Sequence, residues 1–193
     1  MQQTMLHNIV LCGPHGIGKT TIARLFVQEY LGKHVDSQLM WLHMSDDRNI
    51  QNIRERLIHF VNKRIDHRSK IVVFEDADNL GDGIQQMLRR TMEQSEYKTT
   101  FIIMCNSSSS VIECIQSRCY VIKLCVLPDP LISAHLTTIL AAEEVPVTAT
   151  VVNEATMLSS GDMRKAINYM QMVANLSSNK LTIESVRTTF IDR

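Results

Sequence analysis

The chain has 193 residues, 45% hydrophobic and 21% charged, which is the make-up of a folded globular protein and excludes a wholly disordered one. Its 20 basic and 20 acidic side chains cancel, which excludes a general electrostatic hold on nucleic acid or membrane and leaves any such binding to local patches. No apolar stretch approaches the roughly 20 residues of a membrane span, and the opening MQQTMLHN lacks the long apolar segment of a secretory leader. The expected setting is therefore soluble and intracellular, with no membrane partner. The five cysteines are odd in number and lack metal-ligand spacing. Cys12, Cys105 and Cys125 sit in apolar runs and are expected to be buried thiols in a reducing compartment.

In chain order, the apolar run Ile9-Val10-Leu11-Cys12 reads as a buried strand ending at Gly13. GPHGIGKT follows and fits the phosphate-loop pattern G-x-x-x-x-G-K-[ST], with a helical pattern directly after it. Strand, glycine loop and helix are the context this motif needs. Gly13, Gly16 and Gly18 permit positive φ, so that backbone N–H groups of the loop Gly13-Pro14-His15-Gly16-Ile17-Gly18, Pro14 apart, can converge on phosphate oxygens. The helix N-terminus at Thr20 and Thr21 adds partial positive charge. Lys19 is expected to reach the β- and γ-phosphates and Thr20 to ligate Mg²⁺. The stretch implies a bound nucleoside triphosphate.

The first helix is expected over 20–31, stopped by Gly32, with a strand at 38–43. Ser45-Asp46-Asp47 is a helix-start signature. Ile50, Ile53, Leu57, Ile58, Val61 and Ile65 recur every three or four residues and predict an amphipathic helix over 48–64. Arg54, Arg56, Lys63 and Arg64 read as its solvated face. Residues 71–74 are a β-branched run, a buried parallel strand that ends in Glu75-Asp76-Ala77-Asp78. A helix over 82–93 turns Ile84, Met87, Leu88, Thr91 and Met92 inward. A strand at 100–105 ends at Asn106. The serine loop 107–110 then leads to a short helix, to Ser117-Arg118-Cys119 and to a strand at 120–126.

Pro128 and Pro130 mark the point where strands give way to helices, expected at 131–144, 150–159, 162–174 and 182–190. Strands alternating with helices imply a parallel three-layer α/β/α sandwich over 1–127, followed by a small all-α lid domain over 128–193. The chemistry needs a carboxylate at the end of a strand beside the phosphate loop, to hold Mg²⁺ and polarise water. Glu75 and Asp76 are the candidates. Asn106, at the next strand end, is placed to hydrogen-bond the γ-phosphate or the water.

Six segments in order, GPHGIGKTT, SDDRNI, IVVFEDAD, LRRTME, TTFIIMCNSSSSVIECIQSRC and GDMRKAINYMQ, resemble the small subunits of the replication factor C clamp loader, within the AAA+ ATPases, from about residue 5 to residue 190. The resemblance implies ATP with Mg²⁺, Lys19 and Thr20 as the phosphate-loop pair, and Asn106 as the first sensor. It matches Arg118 of SRC to the arginine finger acting on ATP in a neighbouring subunit, and Arg164 of GDMR to the second sensor in the lid. Arg48 matches a position that touches the DNA backbone, with the start of the 82–93 helix nearby; such contacts position a duplex without reading sequence. The 48–64 helix corresponds to the element that presses on the sliding clamp, although core packing explains the same apolar stripe. Arg89 and Arg90 fall at or near the subunit interface. The implied partners are sister clamp-loader subunits in a hetero-oligomer, a sliding clamp and primer–template DNA. The implied location is the nucleus in a eukaryote and the cytoplasm otherwise.

Three departures stand out. The family reads Asp-Glu where this chain reads Glu75-Asp76, and a displacement of about 1 Å at a reacting centre costs on the order of a hundredfold in rate. Slow hydrolysis is expected, with the double exchange Glu75→Asp and Asp76→Glu raising turnover. The family's N-terminal segment and C-terminal collar domain have no counterpart in the chain as read, which leaves ATP assigned by resemblance and argues against a stable pentamer of this chain alone. The leading expectation is an ATP-driven clamp-loader-like subunit acting in DNA replication. The alternative is a nucleotide-binding module that docks with loader subunits or a clamp and turns over little ATP. A branch-migration helicase is a third reading, opposed by SRC and LRRTME.

Overall fold

The computed structural model describes residues 6–44, 50–63, 70–95, 98–176, 183–184 and 186–187. Arg48, and most of the helix expected over 182–190, lie outside them. The chain forms two compact units, one of Met1–Gly13 with Lys19–Leu124 and one of Pro14–Gly18 with Cys125–Arg193.

The first unit is built on a five-stranded sheet of β1 (Ile9–Cys12), β2 (Leu39–His43), β3 (Lys70–Glu75), β4 (Thr99–Cys105) and β5 (Tyr120–Lys123). The strands are all parallel and run in the order β2-β3-β4-β1-β5. Its helices are α1 (Lys19–Leu31), α2 (Val35–Gln38), α3 (Ile50–Asn62), α4 (Asp82–Gln94) and α5 (Glu113–Gln116). β3 and β4 are apolar nearly throughout because helices cover both sheet faces. Val10, Val72, Phe74, Phe101 and Ile103 face Ile53, Leu57, Ile84, Leu88 and Ile115 of α3, α4 and α5. On the other face Leu11, Ile71, Val73, Ile102 and Met104 meet Ala23, Val27 and Leu31 of α1. Each large side chain fully buried this way contributes about 1.5–3 kcal/mol, and the strand order sets the ends of β3, β4 and β1 side by side.

Three features depart from the sequence reading. Gly32 does stop α1, at φ 52°, but the chain continues through a tight turn at Gly32–His34 and α2. β5 ends at Lys123, short of residue 126, because β1, its one partner among the described residues, ends at Cys12, which is paired with Lys123. β5 is also an edge strand with Tyr120, Val121 and Ile122 exposed, and Cys125 beyond it is exposed as well. Of the three cysteines expected to be buried, Cys12 and Cys105 are, and Cys125 is not. On α3, Ile53 and Leu57 are core residues while Ile58 is 39% exposed, so the apolar stripe is divided between the interior and the surface.

One buried cation escaped the sequence pattern. Lys70, 4% exposed at the start of β3, donates to the carbonyl oxygens of Phe60 (2.8 Å), Val61 (2.6 Å) and Lys63, closing the C-terminal turn of α3. Burial pushes its ammonium pKa down, assisted by the charges of Lys63 and Lys98.

The second unit packs α6 (Asp129–Ala142), α7 (Ala149–Ser159) and α8 (Met163–Leu176) around Ile132, Leu136, Val151, Val152, Ala155, Ala166, Met170 and Val173. Pro130 near the start of α6 supplies a φ already suited to a helix where no N–H partner is needed.

Candidate functional site

The C-terminal ends of β1, β3 and β4 are neighbours in the sheet, and each releases a candidate residue. β1 runs into Gly13, whose N–H bonds the carbonyl of Cys105 at 3.2 Å and so ties the start of the phosphate loop to the end of β4. Lys19 begins α1, and its Nζ donates to the carbonyl of Gly13 (2.6 Å) and to Asn106 Oδ1 (2.9 Å). The ammonium is thus held at the point where β1 and β4 end. Burial pushes its pKa down, opposed chiefly by the charge of Asp78.

Thr20 donates its hydroxyl to Glu75 Oε1 at 2.5 Å, bridging residues 55 positions apart. The other carboxylate oxygen of Glu75 accepts the indole N–H of Trp41 at 2.8 Å and lies 3.1 Å from His43 Nδ1. Asp76 follows in the left-handed region, φ 57° and ψ 45°, with its side chain exposed. Aspartate tolerates this backbone better than most residues, at a cost of about 1–3 kcal/mol. The left-handed step starts a tight turn, Ala77–Asn79, that swings Asp78 toward the end of β4. There Asp78 accepts from the Asn106 backbone N–H and side-chain amide, from the Ser107 N–H and from the Ser110 hydroxyl. Burial alone would raise the Asp78 pKa, but these donors more than offset it and hold the carboxyl below its usual range.

A divalent cation can be tested against these groups. Among the described residues no three His, Cys, Asp or Glu side chains cluster to hold a metal alone. Thr20 and Glu75 instead present two hard oxygens side by side. That suits Mg²⁺ held by one or two protein oxygens together with phosphate oxygens and water.

Arg118, exposed after α5, donates to the Cys114 carbonyl (2.7 Å) and pairs with Glu93 Oε1 (2.7 Å). Glu93, in the last turn of α4, also receives Arg89 at 3.3 Å. Arg118 therefore engages groups of its own surface, Cys114 and Glu93.

In the second unit Gly16 (φ 68°) and Gly18 (φ 93°) adopt backbone that L side chains rarely take. A Cβ on Gly16 would also overlap the Asp162 carboxylate. Asp162 accepts the Lys165 N–H at 2.8 Å in the first turn of α8, and the Met163 N–H donates to the Gly16 carbonyl at 3.2 Å. Ile17 is buried, Pro14 and His15 are exposed, and Arg164 is exposed on the first turn of α8. Thr21 is exposed on α1 in the first unit.

The structure thus brings Lys19, Thr20, Glu75 and Asn106 together. It adds Trp41, His43 and Asp78, which the sequence reading left without a role. The acid at 78 was visible in EDAD, whereas nothing local marked Trp41 or His43.

A parallel sheet in this order, with a phosphate loop leaving the strand beside the Asn106 strand, defines a P-loop nucleoside-triphosphatase core. The model of the "ATPase family associated with various cellular activities (AAA)" matches residues 9–125. The chain belongs to this AAA ATPase family. It is 38% identical over 167 residues to replication factor C subunit 4 of Oryza sativa subsp. japonica, covering 85% of this chain and 50% of the relative. It is 34% identical over 187 residues to the replication factor C small subunit of Halobacterium salinarum, covering 95% of this chain and 58% of the relative. The chain therefore spans about half the length of the curated relatives it matches. Among solved structures, the Thermotoga maritima RuvB branch-migration motor superposes with a TM-score of 0.75 at 15% identity, over 96% of this chain and 61% of that one. At that identity the likeness concerns the fold alone. Among the described residues no helix is long and apolar enough to cross a membrane.

Proposed function

We propose that the chain binds ATP with Mg²⁺ and hydrolyses it slowly, as a subunit of a clamp-loader-type assembly that places a sliding clamp on primer–template DNA. The observation that carries this reading is the placement of Lys19 against Asn106 and of Thr20 against Glu75, with Asn106 itself fixed by Asp78. Lys19 and the loop N–H groups would hold the β- and γ-phosphates, while Thr20 and Glu75 would hold Mg²⁺. When bound, Mg²⁺ supplies charge neutralisation across those phosphates. Asn106 would orient the attacking water or the γ-phosphate, and Asp76 would accept the water's proton. Arg118 would serve a neighbouring subunit's ATP, and Arg164 would report the γ-phosphate to the lid; both assignments rest on the family resemblance.

Slow turnover is attributed to position 76. Glu75 is one methylene longer than the aspartate expected there, yet it reaches Thr20 and is held by two other groups. Asp76 is one methylene short as a base, and its side chain is exposed. Sister subunits, the clamp, non-sequence-specific DNA contact through Arg48, a boundary near residue 127 and a nuclear or cytoplasmic location are parts of the same proposal.

The test is steady-state ATP hydrolysis with and without a sliding clamp and primed DNA, at matched protein concentration. Stimulation by both, lost in Arg118→Ala, supports the loader reading. Saturable ATP binding with a flat, near-zero rate supports instead a nucleotide-dependent docking module.

A further inference from the structure

Trp41 and His43 alternate on one face of β2, and the parallel register sets His43 beside Glu75 and Trp41 beside Val73. Both side chains therefore project on the α1 side of the sheet, with Trp41 packed at the edge of the core that α1 covers. α1 meets them with two residues one helical turn apart. Thr20 bonds Glu75 Oε1, and Arg24 places its guanidinium 5.7 Å from the centre of the Trp41 ring. The indole is thus held on its face by Arg24 while its N–H edge donates to Glu75 Oε2 at 2.8 Å.

A glutamate has one more rotatable bond than an aspartate, and fixing a side chain of its kind costs up to about 1.5–2 kcal/mol of rotamer entropy. Without a second anchor its carboxylate would sample positions away from Thr20. From these contacts we infer that Trp41, assisted by His43, is a positioning residue for Glu75: it holds Oε2 so that Oε1 stays on Thr20, which lets a glutamate serve where a metal-holding carboxylate is needed. An aspartate at 75, shorter by one C–C bond of about 1.5 Å, could not reach Thr20 and Trp41 together. This rests on the Mg²⁺–nucleotide reading proposed above.

Fluorescent-nucleotide titrations on the full chain, in Mg²⁺ and in EDTA, test the inference. Trp41→Phe keeps an aromatic ring at the edge of the core, although a smaller one, and removes the N–H. It weakens binding about tenfold in Mg²⁺ and leaves binding in EDTA unchanged. In a Glu75→Asp background the same substitution changes binding less than about twofold, because the contact is already lost. A Trp41→Phe chain that matches wild type in Mg²⁺, or that loses as much in the Glu75→Asp background, overturns the inference while the nucleotide reading stands. Absence of binding by wild type overturns both.

A second measurement needs no substitution at 41. Trp41 is the sole tryptophan of the chain, so emission excited selectively in the indole band, apart from the tyrosines, reports on the surroundings of this residue. Adding Mg²⁺ to the ATP-saturated wild-type chain shifts its emission, and Glu75→Ala abolishes the shift; wild-type emission indifferent to Mg²⁺ contradicts the assignment.

Discussion

Asp78 holds Asn106 at two points, its Oδ2 accepting both the backbone N–H and the side-chain amide of Asn106 at 2.8 Å. The amide is thereby oriented with its Oδ1 toward Lys19, so the end of β3 determines where a residue at the end of β4 points. Asp78→Ala is expected to lower kcat as far as Asn106→Ala does, with a smaller effect on nucleotide affinity. It should also destabilise the fold by about 1–3 kcal/mol, since the abandoned donors lose their acceptor. Hydrolysis assays and urea denaturation of the two variants check this.

The same carboxyl sets a pH dependence. The Asp78 pKa lies below its ordinary value of 3.8 in the folded chain, so the folded state favours the ionised form. Its contribution is complete above the unfolded value and is lost as pH falls through the folded one. The stability gap between wild type and Asp78→Asn should therefore be widest near neutrality and shrink below the ordinary value. Denaturation midpoints measured across that range decide it.

Lys70 offers a contrast, a buried cation serving only the fold. Lys70→Met keeps the aliphatic length but leaves carbonyl oxygens of α3 without their donor, and should cost about 1–3 kcal/mol. Nucleotide affinity should be unchanged. Thermal denaturation beside a nucleotide titration separates the two effects.

What the sequence disclosed follows the range of its physical signals. α1, α3, α4, β3 and β4 were legible because 3.6-residue periodicity and short β-branched runs are local. Lys19, Thr20, Glu75 and Asn106 were legible because each lies at a strand or helix end with a motif around it. Trp41 was not, since its partner Glu75 is 34 residues away and only the β2–β3 register brings them together. Lys70 was hidden for a similar reason: a lysine before an apolar strand reads as solvated until the end of α3 is known to sit over it. The error at Cys125 came from taking an apolar run as buried when β5 is an edge strand whose pairing stops with β1.

The strand-end carboxylates divide the expected kinetic defect unequally. Asp76→Glu alone should raise kcat, by up to about tenfold after the added strain of a longer side chain at φ 57°. Glu75→Asp alone should lower it, because the shorter side chain leaves Trp41. The double exchange should still exceed wild type. Single-turnover rates of the three variants with saturating Mg²⁺–ATP rank them.

Everything proposed for this chain depends on Lys19 meeting phosphate where β1 and β4 end. The direct measurement is equilibrium binding of ATP, in Mg²⁺, to wild type and to Lys19→Ala. Saturable binding by wild type, weakened about 10- to 100-fold in the variant through loss of a charged hydrogen-bond donor, is the result expected. Equal affinity in the two chains would contradict the assignment of the phosphate loop.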